Sequence, residues 1–62
     1  SIRREVSGWP DPYRRRFALM VQENLRLEFA GRVGKYSNEM PINQAMSRAY
    51  NELKPDVEKN MP

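Results

Sequence analysis

Apolar residues recur along this chain at the spacing of two amphipathic helices. The clearer pattern is Ile42, Ala45, Met46, Ala49, Tyr50 and Leu53, at steps of 0, 3, 4, 7, 8 and 11, which makes one continuous helical face. Asn43, Gln44, Ser47, Arg48, Asn51 and Glu52 take the other side. Ser37 or Asn38 can cap this helix and Pro41 suits its first turn, while Pro55 is expected to stop it. The spacing therefore predicts a helix over about 39–54. Val57 can begin a short further turn, and Asn60-Met61-Pro62 reads as a frayed tail.

The other helix is predicted over about 12–30. Phe17, Val21 and Leu25 recur every four residues, and Ala18, Met20, Leu27 and Phe29 widen that stripe. Arg15, Gln22, Glu23 and Arg26 fall opposite, and Asn24 and Glu28 interrupt the apolar sector. Trp9-Pro10-Asp11-Pro12 forms a rigid lead-in. Asp11 can cap the helix, Pro12 at the first helical position loses no hydrogen bond, and Trp9 is placed to fold back near Tyr13. Gly31 stands where a helix would turn off, and residues 31–38, with two glycines, read as the connecting loop.

Two antiparallel helices leave each apolar stripe half covered. Ile2 and Val6, four apart, share one face of a helical turn that Gly8 would end, so the segment around Ile2, Val6 and Trp9 can supply a third wall. The expected fold is all-α: a helical hairpin of two main helices, with a short third helix or N-terminal segment completing the core of a single domain over residues 1–62. The start at Ser1 and stop at Pro62 read as a domain excised from a longer protein. A chain this short buries only ~60% of its unfolded surface, so a partner or a second copy is expected to complete it.

Composition narrows the chemistry. There is no cysteine and no histidine, which removes disulfides, thiolate and imidazole metal ligands, and the commonest general base. Ser1, Ser7, Ser37 and Ser47 have no histidine to activate them, Glu23 and Glu28 do not stack on one helix face, and Gly31-Arg32-Val33-Gly34 follows a helix where a phosphate cradle would precede one. A catalytic role, a metal and a cofactor are not expected. No apolar run approaches a membrane span, and nothing reads as a signal peptide, so no membrane partner is expected.

The net charge is +3, and five of the eleven basic residues sit in two runs, Arg3-Arg4 and Arg14-Arg15-Arg16. Basic excess draws acidic partners through the long-range field. Two readings follow. In the first, the chain is a non-catalytic protein–protein interaction module that grips an apolar or helical segment of another protein, or a second copy of itself. Trp9, Tyr13, Leu27, Phe29, Val33 and Tyr36 would make contact while Arg14, Arg15 and Arg16 steer an acidic partner. In the alternative, the N-terminal arginines bind nucleic acid, with Trp9 and Tyr13 stacking on bases.

The run Arg14-x-Arg16-Phe17, with Glu23, Leu25 and Arg26, and the later series Tyr36, Asn43, Met46, Ala49, Asn51, Leu53 and Lys54 resemble the Elongin A-binding-protein domain of RNA exonuclease 1-type proteins. The resemblance spans about residues 12–54. The link between the helices is shorter here, the first helix needs a one-residue shift, and the cap is Asn38-Glu39-Met40-Pro41. The resemblance implies a nuclear adaptor domain of a transcription or RNA-processing factor, with any exonuclease site elsewhere in the parent chain.

Overall fold

The computed structural model describes residues 1–31 and 40–61, and the side chains of 1–28 and 41–61. Among the described residues there are three helices and no strand: α1 (Ile2–Ser7), α2 (Asp11–Gly31) and α3 (Met40–Asn60). α2 and α3 form the hairpin, and α1 lies against both. Of the loop predicted at 31–38, Gly31 belongs to α2, and the rest, with Val33 and Tyr36, falls outside the described residues.

The N-terminal segment forms the third helix. Ser1 caps α1, its Oγ accepting from the Arg4 N–H at 3.3 Å. Gly8 and Trp9 then donate to the Glu5 and Val6 carbonyls at 3.1 and 2.9 Å, which closes the last turn. Ile2 and Val6 face inward as their spacing requires. The start of α2 lies one residue before the expected position. The Pro10 carbonyl accepts from Tyr13 and Arg14, and the Asp11 carboxylate pairs with Arg14 inside the first turn.

The core comprises Val6, Trp9, Phe17, Ala49, Leu53 and Val57, with Ile2, Tyr13, Met20, Val21, Met46 and Tyr50 packed around it. Trp9 is its hub. Its ring meets Phe17 edge-on at 6.1 Å and stacks on Tyr50 at 5.7 Å, so one residue ties the lead-in to both long helices. Trp9 thus reaches a turn beyond Tyr13, the neighbour expected from the sequence.

Two expectations for α3 are corrected. Pro55 does not stop it; the helix runs on to Asn60. A proline in a helix interior forfeits one hydrogen bond and costs ~3 kcal/mol. Pro55 and Asn51 are both exposed, so water can serve the orphaned Asn51 carbonyl. Continuing the helix buries Val57 to 2% exposure, a gain of about 1.5–3 kcal/mol, and brings Asn60 to donate to the Tyr13 hydroxyl at 2.9 Å.

The second correction is Ile42, expected in the core and 37% exposed. The buried row of α3 is Pro41, Ala45, Ala49, Leu53 and Val57, every fourth residue. Each four-residue step turns about 40° further round the helix, so the contact line winds across the surface instead of following a fixed face. Ile42 shares a fixed face with Leu53 but lies off the line at its own level. Met46 and Tyr50 also lie off that line and are half-buried because α1 covers that flank. On α2 the same four-residue row runs through Tyr13, Phe17, Val21 and Leu25. Ala18, expected in the stripe, is exposed beside it.

Candidate interaction surface

The residues expected to touch a partner are divided by the fold. Trp9 is 7% exposed and belongs to the core, so it is withdrawn from the surface; its indole is already packed by Phe17 and Tyr50. Tyr13 is half-buried, its hydroxyl accepting from Asn60 and its ring lying 5.6 Å from the Arg16 guanidinium. Arg14, Arg15 and Arg16 are all exposed, Arg14 paired with Asp11. Leu27 is 64% exposed and stands fourteen residues along α2 from Tyr13, about 21 Å at the helical rise. The side chain of Phe29, together with Val33 and Tyr36, lies outside the described residues.

One exposed residue escaped the sequence reading. Leu19 is 65% exposed, on the side of α2 turned away from α3. Arg15, Leu19, Glu23 and Leu27 form one four-residue row, with Arg16 and Arg26 flanking Leu19 at i−3 and i+7. Leu19 therefore joins the arginine cluster to Leu27 across the outer face of α2. The signal was present as a large apolar residue among polar neighbours on the wheel.

The flank between α1 and α3 is built differently. The Tyr50 hydroxyl donates to the Glu5 carboxylate, and the Lys54 ammonium lies 3.8 Å from Glu5 and 5.1 Å from the Tyr50 ring centre. Hydrogen bonding and charge interaction with Tyr50, then attraction to Glu5, hold the Lys54 pKa above its ordinary value of 10.5. This cluster latches α1 to α3. Nearer the start of α1, an open depression of about 410 Å3 is lined by Ile2, Arg3, Asn43, Met46 and Ser47.

Among the described residues no charged side chain is buried, and no group of three or more His, Cys, Asp or Glu is placed to hold a metal. No described helix is long and apolar enough to cross a membrane. No family model, curated protein or solved structure matches the chain. The resemblance to the Elongin A-binding-protein domain rests on the residues quoted for it alone.

Proposed function

We propose that this chain is a non-catalytic protein-interaction module that works through the outer face of α2. The observation that carries this reading is the pair Leu19 and Leu27, each about two-thirds exposed in the same helical row. Burying what remains exposed of two such side chains against a partner is worth about 1–2 kcal/mol each, and the flanking arginines add steering. The resemblance described above supports a place in a nuclear transcription or RNA-processing factor. The nucleic-acid alternative has less support, because the aromatic residues it needs for stacking on bases are covered: Trp9 is packed between Phe17 and Tyr50, and Tyr13 is half-buried.

The test compares the chain with its Leu19→Glu, Leu27→Glu double variant. Both positions are exposed, so the melting curve should change little. Proteins that co-purify with the parent chain should be lost from the variant. Oligonucleotide binding is titrated alongside, at low and physiological salt. Retention of every partner by the variant would sink the reading. So would tight oligonucleotide binding that survives physiological salt and disappears in Arg14→Glu, Arg15→Glu.

A further inference from the structure

We infer that the occupant of this face is an acidic amphipathic helix of another protein, seated on Leu19 and Leu27 with its carboxylates against Arg15, Arg16 and Arg26. The inference rests on the protein-interaction reading above and adds the chemistry of the partner.

The first support is the contrast between the two long helices. α2 and α3 have the same length and the same average apolarity, yet α2 segregates its apolar residues less. The difference lies in Leu19 and Leu27. Among the exposed residues of α3, which include Gln44, Ser47, Arg48 and Asn51, the large apolar side chain is Ile42, at 37% against about two-thirds for each leucine of α2. Folding of the hairpin needs no leucine on the far side of α2, and water gains nothing from one.

The second support is geometry. Leu19 and Leu27 stand eight residues apart, about 12 Å along the helix. A partner helix laid along that row meets both with apolar residues two turns apart, the usual form of helix recognition.

The third is charge. The face carries Arg15, Arg16 and Arg26 against Glu23, while Asp11, at the N-terminal end of the same row, is already paired with Arg14. Two copies joined through this face would set arginines against arginines in an otherwise apolar contact, which costs affinity. The chain's own acids do not offer a matching surface. Glu52, Asp56 and Glu58 are accompanied by Lys54 and Lys59, and Val57 among them is buried. An acidic helix from a different protein satisfies the arginines. Glu23, between the two leucines, asks for one basic residue at the middle of that helix and so sets its register.

The experiment titrates the full 62-residue chain, isotope-labelled, with a synthetic helical peptide. The peptide carries leucines on one face, glutamates along both flanks and one central lysine. Its controls are a scrambled peptide of the same composition and a version with every glutamate changed to glutamine. Amide shifts should gather on the row from Arg15 to Leu27. The glutamine version should bind roughly tenfold more weakly, and Leu19→Ser with Leu27→Ser should abolish binding while helicity is kept. Equal binding of the scrambled peptide, shifts confined to α1 and α3, or self-association through the same row without peptide would each overturn the inference. If the peptide fails but the leucine substitutions still remove a co-purifying protein, the acidic partner is wrong and the interaction reading stands. If those substitutions change neither, both fall.

Discussion

At the end of the molecule where α1 packs, three helices meet around aromatic and branched side chains: Trp9 between Phe17 and Tyr50, with Val6, Leu53 and Val57 closing the space. Toward the start of α3, only α2 and α3 meet, and their contact combines the buried Pro41 and Ala45 and the half-buried Leu25 with polar ties. Ala45 is almost fully buried and brings the helices close enough for the Asn24 amide to donate to the Ala45 carbonyl at 3.1 Å. One turn further, the mostly covered Glu28 carboxylate lies 3.7 Å from the exposed Arg48 guanidinium. The two polar residues that interrupt the apolar stripe of α2 are therefore its cross-links to α3. The α1 end is held by burial, which is strong and undirected. The other end adds hydrogen-bond geometry to a thinner apolar contact, and that geometry contributes less energy and more register.

The largest test of this contrast replaces one bulky residue at each end. Trp9→Ala should cost about 3–5 kcal/mol and leave most of so small a domain unfolded at room temperature. Ile42→Ala should cost about 0.5–1.5 kcal/mol, as for a partly covered position. Chemical denaturation measures both, and equal effects would erase the distinction between the ends.

Pro55→Ala comes next, with the opposite sign. Alanine restores the hydrogen bond to the Asn51 carbonyl, partly offset by the greater freedom of the unfolded chain. A net gain of about 1–2 kcal/mol is expected. A loss would mean that the proline ring makes a contact the helix depends on.

A smaller loss is expected at the end where only α2 and α3 meet. Asn24→Ala removes one partly buried hydrogen bond, about 0.5–1.5 kcal/mol, and leaves the Ala45 carbonyl with its own helical position. Hydrogen exchange should speed up around Ala45 and leave the amides near Leu53 protected. Uniform acceleration along α3 would show that the two ends open together.

The smallest effect concerns pH. The folded-state pKa of Lys54 lies above its unfolded value, so its contribution is complete below about pH 10 and is lost as pH rises through the folded value. The melting temperature should fall slightly more in that range for the parent chain than for Lys54→Met. Identical alkaline limbs would show that the latch of Glu5, Tyr50 and Lys54 does not couple to folding.

Much of the fold was legible in the residues. Period and punctuation placed α2 and most of α3, paired Ile2 with Val6, and marked the N-terminal segment as the third wall, because these depend on local spacing and on backbone limits at glycine and proline. Arg15 and Arg26 were legible as exposed for the same reason. Three features were settled only by packing. Trp9 and Tyr50 stack although forty-one positions separate them, so no local pattern could tell a core indole from a recognition site. Pro55 remains inside α3 because burying Val57 beside a distant helix, together with the bond from Asn60 to Tyr13, offsets a local penalty that sequence alone can see. Ile42 is left at the surface because the contact line follows every fourth residue, and its course depends on how α2 crosses α3. The chain by itself determines which segments coil and which of their sides are apolar; which part of each apolar side is covered depends on the axis of a neighbour, and that is a property of the assembled helices.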